Sequence, residues 1–435
     1  MRKVHALALA IGFMAAGTAS AKENIDFMFP APVDGKLTME MTRVIKEFNQ
    51  SQNDVEVRGI FTGSYDTTKV KAEAAAKSGQ PPALVIMSAN FTADLAIKNE
   101  ILPMDELFKF GDQKATPFLT QNFWPAMRQN AQVNGVTYAI PFHNSTPILY
   151  YNKTMFAKAG ITAPPKDWDE LLEDSKKLTD SAKGQWGIML PSTNDDYGGW
   201  ILSALVRANG GQYYNADYPG EVYYDKPSTL GALHFWQNLV YRDKVMPPGV
   251  LNSKQISAAF FSGKLGMAML STGALGFMRE NTKDFELGVA MMPAKMRNAV
   301  TIGGASLVSF KGISDEQKKA AYTFLQYLVS PKVNGAWSRF TGYFSPRMAS
   351  YDTPEMKEYL EKDPRAAIAL EQLKYAYPWY ATYETVAVRQ AMENQLAALV
   401  NDEKVTPEAA AAQAQKDADT LLKPYVESTA LTVPK

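Results

Sequence analysis

From residue 25 onward the sequence alternates short, nearly continuous apolar runs with longer stretches in which apolar residues recur every three or four positions. Runs of the first kind suit strands covered on both faces, and stretches of the second kind bury one stripe of a helix. Strand and helix therefore succeed one another, which confines the chain to the α/β class with a largely parallel sheet. Residues 25–29 read as the first strand, after which Leu37, Met41, Val44, Ile45 and Phe48 share one helical face. Residues 55–61 form a second strand, 67–77 a helix, and 83–87 a third strand behind the turn Gly79, Gln80, Pro81, Pro82. Such a βαβαβ unit leaves loops 30–36, 62–65 and 88–91 at the carboxyl ends of its strands, where open α/β sheets hold ligands.

Further along, residues 141–153 read as an extended, β-rich segment, and Trp168, Leu171 and Leu172 mark the apolar face of a helix. Residues 197–245 are aromatic and helical in pattern, 265–270 form a buried strand, and 301–310 another strand region. A helix then runs through Leu328; Thr341, Gly342 and Tyr343 follow later, and Thr406 with Pro407 makes an N-cap and first-turn pair opening an Ala-rich helix. The chain has neither a fixed-period repeat nor a low-complexity linker, so its halves must be joined by ordered crossing segments.

At the N-terminus, Arg2 and Lys3 precede a short apolar stretch at 6–16, and Ala19, Ser20 and Ala21 follow the small-x-small rule. This predicts a secretory signal peptide cut after Ala21, because the stretch is too short to span a membrane. None of the 435 residues is Cys, which removes lipid attachment, disulfides, Cys-based zinc or iron–sulfur sites and thiol nucleophiles together. The mature chain is therefore expected in the periplasm, exported and not inserted in the membrane. Lys and Arg number 45, as do Asp and Glu, so no basic footprint for nucleic acid exists.

Catalytic constellations are scarce. His occurs at 5, 143 and 234 alone. His234 lies within a helical aromatic stretch and reads as a packing residue, whereas the loop around His143 leaves open whether it faces a ligand. No G-x-S-x-G, H-E-x-x-H, EF-hand, Walker A or G-x-G-x-x-G pattern is present. Asp195 and Asp196 lack the alternating oxygen spacing of a calcium loop and read as a solvated turn. Paired carboxylates for glycoside hydrolysis depend on the fold, so a secreted hydrolase stays as an alternative. The expectation is a binder without metal or cofactor.

Recognition of a small polar anion needs converging rigid donors, and the apolar part of the solute needs enclosure. Ser271, Thr272 and Gly273 follow the 265–270 strand and precede a helix from Leu275, so they either reach a phosphate or simply cap that helix. Gly303 and Gly304 mark either close backbone approach to a ligand or a bulge. Tyr197 and Trp200 project to one side, as core or as cleft wall, and Gly198 with Gly199 between them argues for a loop. Arg389, on a helix with Val388, Met392, Leu396 and Leu399, is either a surface residue or a bidentate phosphate clamp.

The segments 141–153 (PFHNSTPILYYNK), 266–273 (GMAMLSTG), 288–293 (GVAMMP), 302–306 (IGGAS) and 341–343 (TGY) stand in the order found in a known family. They resemble extracellular solute-binding proteins of the maltose-binding type, and among them most the glycerol-3-phosphate binders of ABC importers. The resemblance runs from the signal peptide to the last helix. It implies a hinged, two-lobe periplasmic-binding-protein fold of type II, each lobe a mostly parallel sheet flanked by helices. The lobes would comprise 22–143 with 288–345, and 144–287 with 346–435. The resemblance also implies, as ligand contacts, Tyr65, Ser145, Tyr197, Trp200, Ser271, Gly304, Tyr343 and Arg389. At Tyr197 the family tends to have Trp. Ala89 stands where the glycerol-3-phosphate binders carry a Glu that takes the glycerol hydroxyls, which makes it a specificity position. The implied solute is sn-glycerol-3-phosphate or a glycerophosphodiester resembling glycerophosphocholine; a sugar or oligosaccharide is the alternative. Implied partners are this small organophosphate and an ABC permease of two membrane subunits with its cytoplasmic ATPase, served by a monomer that closes about its hinge.

Overall fold

The computed structural model describes residues 22–33, 35–193, 197–379 and 381–430. The expected signal peptide and the Asp195–Asp196 pair lie outside the described residues.

Strand β1 (Glu23–Pro30) pairs in parallel with β2 (Val55–Gly63) on one side and β3 (Leu84–Ser88) on the other. The helix Leu37–Ser51 covers this unit with Leu37, Met41, Val44, Ile45 and Phe48, the stripe legible in the sequence. A short ribbon of β4 (Gln132–Val133) and β5 (Val136–Thr137) precedes β6 (Ile140–Ser145). After Thr146 alone, β7 (Pro147–Asn152) begins a second sheet, joined by β8 (Trp186–Met189), β9 (Leu265–Ser271) and β10 (Leu287–Ala290). The chain then returns to the first sheet as β11 (Val300–Val308), with β12 (Ala376–Pro378) at its edge.

The first sheet runs β12-β11-β3-β1-β2 with β6 also on β11, and the second runs β10-β7-β9-β8. Mostly parallel pairing, expected in both halves, holds for the first sheet, where β1-β2, β1-β3 and β11-β12 are parallel, but not for the second. β11 is antiparallel to both β3 and β6, and in the second sheet only β8 and β9 are parallel. The reason is connectivity: β7 and β11 cross from one sheet to the other and enter from the opposite end, so no helical crossover sets their direction. Each sheet has its own apolar core, the first around Phe27, Ile86 and Phe324, the second around Leu149, Trp236 and Met267. Among the described residues no helix is long and apolar enough to cross a membrane.

Candidate functional site

β2 ends at Gly63, whose φ of 101° turns the chain out of the sheet. Ser64 then caps the next helix by accepting from Thr67 N at 3.2 Å. The helix starts at Tyr65, two residues before the expected position, because the cap draws those residues into its first turn. The Tyr65 hydroxyl meets Nε2 of His143 at 2.9 Å. His143 is buried on β6, stacked on Tyr343 at 4.2 Å between ring centres and on Trp337 at 5.9 Å. Burial lowers its pKa to about 3, so the imidazole is neutral at physiological pH. It stands behind the cleft wall and orients two side chains that form the wall. His234 is on the surface beside Glu408.

On β11, Gly304 has φ 103°, and a Cβ there would lie 2.2 Å from the His143 carbonyl oxygen. A Cβ on Gly303 would lie 2.9 Å from the Trp200 indole. The backbone of this pair borders the cleft, and the register with β6 slips between Ala305 and Ser306.

Gly198 and Gly199 do not make a loop. They sit in the first turn of the helix Tyr197–Ala208, because close packing demands them: a Cβ would lie 2.6 Å from the Thr193 carbonyl at Gly198 and 2.7 Å from the Glu393 carboxylate at Gly199. Tyr197 and Trp200 therefore both reach the cleft. The Tyr197 hydroxyl accepts from Ser271 N at 2.6 Å, and Trp200 Nε1 donates to the Thr301 carbonyl at 3.1 Å. Ser271, at the end of β9, accepts at Oγ from Gly273 N at 3.0 Å, so it caps the following turn and borders the cleft at once. Gly342, with φ 100°, ends the helix Pro331–Thr341 and swings Tyr343 over Gly273, where a Cβ would lie 2.6 Å from the ring.

These elements enclose a cleft of about 280 Å³ between the two sheets. Sites for small molecules typically hold ~300–1,000 Å³, so this one suits a single compact solute. Tyr65, Ser145, Tyr197, Trp200, Ser271, Gly304 and Tyr343, all singled out from sequence, border it. So do Ala31, Pro32 and Val33 in the first predicted loop. The third loop contributes nothing to the wall, as Ser88 and Asn90 are buried on one another at 2.6 Å. Ser64, in the second predicted loop, and Gly303, beside Gly304, also line the cleft, as do Ser253 and Lys254, which were missed as site residues. For Ser253 and Lys254 a signal existed: Asn252 and Gln255 form a capping box ahead of an apolar helix that leads straight into β9.

Two expected residues lie behind the wall. Ala89 is buried and donates its N–H to the Gly304 carbonyl at 3.1 Å. Arg389 is fully buried and borders no part of the cleft. Its burial excludes the surface alternative, and in this structure carboxylates rather than the cleft surround its guanidinium. Helical spacing places Glu393 one turn along, 3.1 Å from the guanidinium, and Asp66 meets it from the first half at 2.6 Å. Two carboxylates thus hold the charge that a phosphate was expected to meet.

The family model described as bacterial extracellular solute-binding protein matches residues 43–368. The sn-glycerol-3-phosphate-binding periplasmic protein UgpB of Yersinia pseudotuberculosis is 27% identical over 448 residues, 98% of each chain. Among solved structures, UgpB from Mycobacterium tuberculosis in complex with glycerophosphocholine has a TM-score of 0.81 at 24% identity, covering 93% of this chain and 100% of that one. An ABC transporter solute-binding protein from Thermotoga lettingae, bound with α-D-tagatose, has a TM-score of 0.80 at 23% identity, covering 92% and 100%. The two-lobe solute-binding fold expected from the sequence is the fold observed.

Proposed function

The chain belongs to the bacterial extracellular solute-binding proteins, the solute-binding components of ABC importers, and from that premise we propose that its solute is a small phosphate ester, a glycerophosphodiester resembling glycerophosphocholine in preference to sn-glycerol 3-phosphate. Proteins of this kind work outside the cytoplasm with a permease and an ATPase. The observation that carries the proposal is convergence. Tyr65, Ser145 and Ser271, which carry hydroxyls, and Gly304 border one compact cleft, otherwise walled by the rings of Tyr197, Trp200 and Tyr343. Several converging donors hold an anionic oxygen cluster, and aromatic faces hold a quaternary ammonium. Ala89 in place of a Glu leaves out the carboxylate that would select free glycerol hydroxyls, which favours a substituted glycerol.

The same proposal includes a mature chain beginning at Lys22 and acting as a monomer in the periplasm. Its lobes, 22–143 with 288–345 and 144–287 with 346–435, close on the solute. The passage of β6 into β7 across Thr146 supports the first boundary. The solute is released unaltered to a two-subunit permease.

A sugar is the second reading, favoured by the ring pair Tyr197 and Trp200 with centres 5.7 Å apart. A melting-temperature panel with titration calorimetry separates the two, because a bound ligand stabilises the folded state by about 2.7 kcal/mol at a hundredfold excess over Kd. Stabilisation by sn-glycero-3-phosphocholine, weaker stabilisation by glycerol 3-phosphate and none by maltose or tagatose is expected. Stabilisation by a sugar alone refutes the phosphate ester.

A further inference from the structure

Resting on the phosphate-ester reading above, we infer that Lys254 is the charge-matching contact of the cleft and restricts it to solutes whose phosphate carries one negative charge. The helix Ser253–Phe261 turns back through Gly263, with φ 70°, into β9. This hairpin-like return brings the start of the helix beside the end of the strand, so Lys254 and Ser271 border the same cavity. The capping box holds that start in place: Asn252 Oδ1 accepts from Gln255 N at 2.9 Å, and Gln255 Oε1 accepts from Asn252 N at 2.9 Å. The backbone under Lys254 is therefore fixed, while its four-carbon side chain is exposed and able to reach a solute.

Other cations near the cleft already have partners. Arg389 is held by Asp66 and Glu393, and Lys69 by Glu73 and Asp94. Neither borders the cavity. Among the described residues Lys254 is the one charged side chain that does, no carboxylate shares the wall, and no ion pair occupies Lys254. The remaining wall consists of hydroxyls, backbone and rings. A phosphodiester brings one negative charge and is neutralised by one ammonium. A monoester at neutral pH carries about 1.5–2 and would leave the excess desolvated without a counter-charge.

The test is calorimetric titration of the mature protein and of Lys254→Gln and Lys254→Arg with sn-glycero-3-phosphocholine, sn-glycerol 3-phosphate and tagatose. Lys254→Gln is expected to bind the diester about tenfold more weakly and with a shallower salt dependence, whereas Lys254→Arg stays within about threefold of the parent. The unliganded melting temperature of Lys254→Gln should match the parent, since the side chain is exposed. In the parent, glycerol 3-phosphate should bind more tightly as its second proton returns between about pH 8 and about pH 5.5. Unchanged diester affinity in Lys254→Gln overturns this inference and leaves the phosphate-ester reading standing, whereas a monoester preferred over the diester at about pH 8 overturns this inference together with the preference for a diester. Binding of tagatose with no binding of either ester by the parent overturns both.

Discussion

Replacing Arg389 by alanine tests whether this residue holds the fold or holds the solute. In the structure its guanidinium lies between the wholly buried Glu393, at 3.1 and 3.3 Å from its two carboxylate oxygens, and Asp66, at 2.6 Å. Truncation removes the guanidinium from the ionised, buried Glu393, which also accepts from the Gly199 N–H at 3.0 Å. Breaking a buried pair by removing one partner costs about 3–5 kcal/mol, because the other charge is desolvated without compensation. At about 2–4 °C per kcal/mol for a unit of a couple of hundred residues, the melting temperature should fall by about 6–20 °C. The double variant Arg389→Ala/Glu393→Gln removes the stranded charge and keeps an acceptor for Gly199, so it should recover most of that loss. Differential scanning calorimetry of the unliganded variants measures both. If Arg389→Ala melts within about 2 °C of the parent while its affinity for a phosphate ester falls tenfold, the reasoning is refuted and Arg389 is a ligand contact.

Tyr65→Phe deletes the hydroxyl bonded to His143 at 2.9 Å; a loss of about 1 kcal/mol in urea unfolding is expected, together with weaker solute binding in calorimetry. His143, with its pKa lowered from 6.5 to about 3 by burial, favours folding while neutral. Its contribution is present above about pH 6.5 and lost as pH falls from there towards about 3, by up to about 1.4 kcal/mol per pH unit. Its imidazole NMR signal should not titrate between pH 8 and pH 5, and a midpoint near the ordinary value would contradict the burial argument. Gly304→Ala forces a side chain into positive φ and a Cβ to 2.2 Å from the His143 carbonyl oxygen. A cost of about 2–4 kcal/mol in thermal unfolding and loss of solute binding should follow.

Local pattern determined the class of the fold and much of the cleft. Apolar runs and helical stripes depend on neighbours within a few residues, so β1, the Leu37–Ser51 helix, β2 and β3 were legible, and with them the loops that border the site. Ser271, placed just after a buried strand, was legible for the same reason, whereas Tyr65, Ser145 and Tyr343 came from the resemblance to the solute-binding family. Contacts between distant segments decided the rest. Gly198 and Gly199 look like a loop until the carboxylate of Glu393, nearly two hundred residues away in sequence, is seen against them. The directions of β7 and β11 follow from entering a sheet across the junction between halves, which no local periodicity encodes. The surroundings of Arg389 and the place of Lys254 were not legible because charge is matched in space: one guanidinium is enclosed by two acids from separate elements, and one ammonium is left at the cleft. A sequence determines which groups are available. Only the folded chain decides which of them face one another with water removed, and that sets the strength of their interaction.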